Sequence, residues 1–188
     1  MKLKHTRAYF QEEVSTGRID HLIEHRLPWL ILGLLGGIIS TIIISQYESI
    51  LAADIRIAFF VTIIVYLSSA VGSQTSAVYL RALATGKSID LKKYILRESL
   101  IGFGLGVLSG IVMFLFVVFW IKSIPIAITI VLTMVINLTI APMLAIAIPS
   151  LIYKEHMDPA LGAGPIVTII QDMISILVYF LVASLIIF

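Results

Sequence analysis

Residues 165–180 read PIVTIIQDMISILVYF. Apart from a glutamine, a threonine, a serine and one aspartate, every position is apolar, and the aspartate, Asp172, stands in the middle of an unbroken hydrophobic run. A run of about 20 such residues is what a membrane-spanning helix needs. A carboxylate at its centre costs at least about 2.5 kcal/mol, so this stretch is expected to be a membrane helix whose acid faces something other than lipid.

Working outward, four more apolar stretches precede it. They run from Pro28 to about Ser45, from about Ile55 to Leu80, from about Glu98 to Trp120, and from Pro125 to about Pro149, with the last from about Pro159 to Phe188. Of the 188 residues 60% are hydrophobic and 13% charged, where soluble domains are near half and a quarter. The mean hydropathy is +1.08. The expected fold is therefore all-α: a multi-pass protein of the cell membrane, with five transmembrane helices (28–188) and a cytoplasmic N-terminal segment (1–27). Within that segment Ile19, Leu22, Ile23 and Leu27 fall on one face, which predicts an amphipathic helix on the membrane surface. Its length and mixed charge do not suit a signal peptide.

Orientation follows from Lys and Arg. Eleven lie before the first span, between the second and third, or between the fourth and fifth; the opposite side has only Arg56 and Lys122. The positive-inside rule then puts the N-terminus in the cytoplasm. With no cysteine, disulfides and thiolate chemistry are excluded. No nucleotide-binding loop, nucleophile triad or zinc constellation is present. His21 and His25 share helical spacing but lack any metal-site context. Neither an enzyme nor a nucleic-acid partner is expected.

The residues that suggest transport gather around Asp172. No Lys or Arg lies at its depth, which leaves water and a mobile cation as its companions. Mg2+ sheds water reluctantly and binds through one or two carboxylates; two copies of Asp172 on a two-fold axis would match its charge. The other reading is a protonated Asp bonded to a neighbouring helix. Thr168 lies one turn before Asp172 and Gly164 one turn before that. Asp158, in DPALGAGP, is expected to cap the fifth helix, with Pro159 at its first position, and to attract ions at the cytoplasmic mouth. Ser68, Ser69, Ser73, Gln74, Thr75 and Ser76 make the second span unusually polar and could line a path. Asn137 and Thr139 are expected to bond between helices, and Glu98 to serve the third helix as an N-terminal acid. Gly33 and Gly37, and the series Gly102, Gly106 and Gly110, mark close helix approaches.

Three segments together, RLPWLILGLLGG (26–37), SSAVGSQTSAVYLRALATG (68–86) and DPALGAGPIVTIIQD (158–172), resemble the transmembrane domain of the MgtE magnesium channels and their solute-carrier relatives. The resemblance implies a homodimer with a pore between subunits, lined by the second and fifth helices, through which hydrated Mg2+ passes as the transported ion. It places Asp172 at the pore centre and Asp158 near the cytoplasmic end, and makes Gly164, Thr168, Gly72 and Gln74 the accompanying metal-site candidates. The segment before RLPW resembles the family's plug helix. Where the family commonly has GGNxGNQ, this chain has SSAVGSQ: Ala70 and Ser73 stand where amides do, while Gly72 and Gln74 are kept. That departure falls on the groups around the ion, and so on its selectivity. The 27 leading residues leave no room for the family's cytoplasmic sensor domains, so gating is expected to need a separate regulatory subunit or another gate. The competing readings are a Na+- or H+-coupled divalent cation exporter and a membrane subunit that transports nothing.

Overall fold

The computed structural model describes residues 19–85, 89–154 and 159–187. Among the described residues six α-helices follow one another: α1 (Ile19–Ser45), α2 (Glu48–Ala53), α3 (Val61–Ala84), α4 (Leu91–Trp120), α5 (Ile124–Lys154) and α6 (Pro159–Ile187), with a 3-10 turn over Ile55–Phe60 leading into α3. Five are long and apolar enough to cross a membrane, α3 together with its 3-10 turn counting as one. No strand occurs among the described residues.

α5 is the centre of the bundle. It packs on α3, α4 and α6, while α6 also holds α3 and α1. Half of α5's span is buried, against 6% for α1, which rests mainly on α6. The α4–α5 seam is close because Gly102, Gly106 and Gly110 face it, as expected from their spacing. A Cβ on Gly102 would overlap the Leu138 carbonyl, and one on Gly106 would come to 2.8 Å from the Val135 α-carbon. Small residues are what allow this where no water drives helices together. Pro142, inside α5, lies within reach of the same Gly102.

Beside the 3-10 turn, Ile57, Phe60 and Ile64 meet Met113 and Val117 of α4, Ile126, Ile130 and Met134 of α5, and Tyr179 and Phe180 of α6. Tyr179 is buried and donates to the Ile57 carbonyl at 2.7 Å, which gives the phenol a partner away from water. Tyr47, after α1, stacks on Phe180 at 4.7 Å. Ahead of the turn, Asp54 accepts from the Arg56 amide at 3.0 Å and pairs with its guanidinium at 2.6 Å. That neighbour holds the Asp54 carboxyl below the usual carboxylate range.

Three boundaries differ from expectation. α1 begins at Ile19 and carries Pro28 inside it, so the helical 19–27 segment and the first span are one helix. Proline costs one backbone bond, and membrane helices tolerate it. α4 begins at Leu91, where the Asp90 side chain accepts from the Lys93 amide. Glu98 is therefore not a terminal acid: it lies two turns inside and accepts from Thr75 of α3 at 3.3 Å. α5 runs past Pro149 to Lys154.

Candidate functional site

Asp172 sits near the midpoint of α6. It is half-buried, and its Oδ1 accepts a 2.6 Å hydrogen bond from the Ser69 hydroxyl of α3. The ion pairs among the described residues, Asp54–Arg56 and Asp90–Lys93, both lie elsewhere. One hydroxyl fills only part of a carboxylate's acceptor capacity. The rest is available to the cavity that Asp172 lines.

That cavity, of about 940 Å³, lies between α1 and α6, with Val65 of α3 at one side. From α6 it takes Pro165, Thr168, Ile169, Asp172 and Ile176; from α1 it takes Trp29, Gly33, Gly37 and Ser40 among others. Thr168 donates to the Gly164 carbonyl at 3.1 Å. Its only hydrogen is thus engaged inside the helix, and what it can offer outward is lone pairs. Both polar groups that α6 presents here are therefore acceptors.

One residue round the helix, the polar groups turn inward. Gln171 is buried; its amide nitrogen donates to the Ser68 carbonyl and lies 3.2 Å from the Ser68 hydroxyl. Ser175 donates to that hydroxyl at 2.9 Å, and Asn137 of α5 donates to the Ser175 carbonyl at 3.2 Å. Gly72 is the reason Gln171 fits, since a Cβ there would overlap the Gln171 amide. This network ties α3, α5 and α6 together directly behind Asp172, and buried polar groups bonded in this way specify one arrangement.

The candidates from the sequence therefore divide. Asp172 and Thr168 share the cavity. Gly164 is exposed one turn earlier, with open space where a side chain would stand. Gly72 packs against Gln171 and does not line the cavity, and Gln74 is exposed away from it. Asp158 lies outside the described residues. Of the second span's hydroxyls, Ser69 reaches Asp172, Ser68 joins the network and Thr75 meets Glu98. Asn137 bonds between helices as expected, but Thr139 bonds back to Val135 within its own helix. On α1 it is Gly36 that packs on α6, against Ile169; Gly33 and Gly37 have nothing within 4 Å and open onto the cavity. Among the described residues no three His, Cys, Asp or Glu side chains gather into a metal cage.

The matches to known proteins cover this same framework. A family described as MgtE, divalent cation transporter, matches residues 61–182, from the start of α3 to near the end of α6. The chain belongs to the MgtE family. The magnesium transporter MgtE of Enterococcus faecalis is 34% identical over 176 residues, which is 93% of this chain and 39% of that protein. Those of Bacillus subtilis and Thermus thermophilus are 30% identical over 161 residues and 31% identical over 164, each match covering 85% of this chain and 36% of the relative. The chain thus spans less than two fifths of the MgtE proteins it matches. With five apolar helices in addition, it is a multi-pass membrane protein of that family.

Proposed function

We propose that this chain forms the membrane pathway of a Mg2+ transporter, in which the ion moves with its water past Asp172. The observation that carries the reading is the Asp172 carboxylate, set at mid-helix on a cavity, with Ser69 as its hydrogen-bond partner and no ion pair to it among the described residues. The relatives' name supports the choice of ion.

The chemistry of a hydrated ion suits the site. Waters bound to Mg2+ turn their hydrogens outward and need acceptors. Asp172 and Thr168 supply them, and no protein cage is needed because Mg2+ keeps several waters. At roughly 30 Å³ per water, the cavity has room for the ion and that shell.

The pathway is completed by a second copy of the chain. α1 buries little of itself within one chain, and Gly33 and Gly37 stand open beside the acid. A two-fold partner would close the cavity and bring a second Asp172, so that two negative charges meet a divalent ion. Inward movement is favoured by a negative-inside potential, at about 2.3 kcal/mol per charge per 100 mV. In this reading the chain is a conductor rather than an enzyme.

The test is flux into liposomes carrying purified protein, for wild type and Asp172→Asn, with Mg2+, Mn2+ and Ca2+. Voltage-driven Mg2+ entry that the substitution abolishes is expected. Flux that requires a Na+ or H+ gradient would make the protein an exchanger, and flux indifferent to the substitution would remove Asp172 from the path.

A further inference from the structure

A second cavity, of about 620 Å³, runs along the first turns of α4 and is lined by Lys93, Leu96, Arg97, Leu100 and Ile101. We propose that it is a docking site for an anionic phospholipid, with the headgroup phosphate between Lys93 and Arg97 and an acyl chain laid along Leu96, Leu100 and Ile101.

The residues are ordered along the helix as the parts of such a lipid are. Two cations one helical turn apart, Lys93 and Arg97, stand in the first two turns with Leu96 between them, and Leu100 and Ile101 follow toward the middle of the span. From Lys93 to Ile101 the helix rises about 12 Å, which matches a headgroup followed by the start of a chain. The surface is open: Leu96 and Leu100 are each 63% exposed and Ile101 47%. Long basic side chains keep their stems on apolar surface while the charge reaches the interface. A guanidinium fork fits phosphate oxygens in pairs.

The cations are available for this. Lys93 has only a 3.5 Å contact with Asp90, between side chains 88% and 55% exposed, and no described residue forms an ion pair with Arg97. Glu98, the neighbouring acid, is engaged with Thr75 on the side of α3. Lys92 is exposed beside them and adds positive charge. A second copy of the chain fits this face poorly. Related by an axis along the membrane normal, it would set the same cations opposite one another at one depth.

Native mass spectrometry of the purified full chain, titrated with phosphatidylglycerol and with phosphatidylcholine of the same acyl chains, tests the assignment. Wild type is expected to retain phosphatidylglycerol at least fivefold better. The Lys93→Gln/Arg97→Gln variant is expected to lose that preference, Arg97→Lys to keep most of it, and Lys122→Gln, just beyond the opposite end of α4, to keep all of it. Equal retention of the two lipids by wild type overturns the proposal, as does an unchanged preference in the double variant or an equal loss in Lys122→Gln. So does displacement of the lipid by inorganic phosphate alone, which would mark an ion site, or disulfide dimerisation through Leu100→Cys, which would mark a chain–chain contact.

Discussion

The Ser69 hydroxyl stands 2.6 Å from Oδ1 of Asp172 and joins α3 to α6 at the depth where the carboxylate meets the cavity. Hydrogen bonds to charged groups contribute about 1.5–3 kcal/mol. Ser69→Ala should therefore lower Mg2+ flux roughly tenfold or more, through loss of the carboxylate's fixed position, while Ser69→Thr keeps the donor and most of the flux. Liposome flux and melting temperature measured together separate this from unfolding: the Ala variant should melt only about 3–12 °C lower, remain folded at the assay temperature, and lose transport.

Gly72 and Gln171 occupy one space. Gly72→Ala should destabilise the protein by about 1–3 kcal/mol, the usual cost of overpacking, because the new methyl overlaps the Gln171 amide. In a Gly72→Ala/Gln171→Ala double variant the two losses should fall short of their sum. Thermal unfolding in detergent of the four proteins in the cycle checks this. Strict additivity would mean that the two residues do not meet.

The α4 glycines offer a comparison within one helix. Gly102→Ala should cost about 1–3 kcal/mol, since its methyl meets backbone that cannot yield. Gly104 has nothing within 4 Å, and Gly104→Ala should be neutral within about 0.5 kcal/mol or slightly stabilising. Unfolding midpoints decide between them.

Asp54 gives an acid-side dependence. Its carboxyl is held below the ordinary range by hydrogen bonds and charge from Arg56. A lowered pKa in the folded protein means that the contribution is complete above the unfolded value of about 3.9 and disappears as pH falls through the lower folded value. Asp54→Ala should thus lower the melting temperature at pH 6–7, and the gap from wild type should close in melts run progressively below about pH 4.

The spans were readable because each is an apolar run of membrane length, and Asp172 because it is the lone carboxylate in its run. The Gly102, Gly106 and Gly110 series was readable because its spacing returns to one face. What the sequence left open was rotation. Lipid and helix interior are both apolar, so a nearly uniform run does not say which side points inward. Ser68 and Ser69 are adjacent yet serve different partners. Gly36 packs where Gly33 and Gly37 looked better suited. Gln171 carries no expectation of its own in the sequence, although an amide next to the acid and a glycine on another span were a usable signal. Glu98 was misread because the true start of α4 is signalled by Asp90, a capping residue amid charged neighbours, and not by the onset of hydrophobicity.

One detail of the α4–α5 seam reaches further. Pro142 has no amide hydrogen to give the Leu138 carbonyl, and that is the oxygen against which Gly102 lies. The hydrogen that replaces a side chain on Gly102 points at it, a weak carbon-to-oxygen bond of about 0.5–1 kcal/mol. Two helices thereby share through their main chains what one helix would otherwise keep to itself. A residue with an amide hydrogen at 142 would compete for that oxygen, whereas a side chain at 102 would displace it whatever stands at 142.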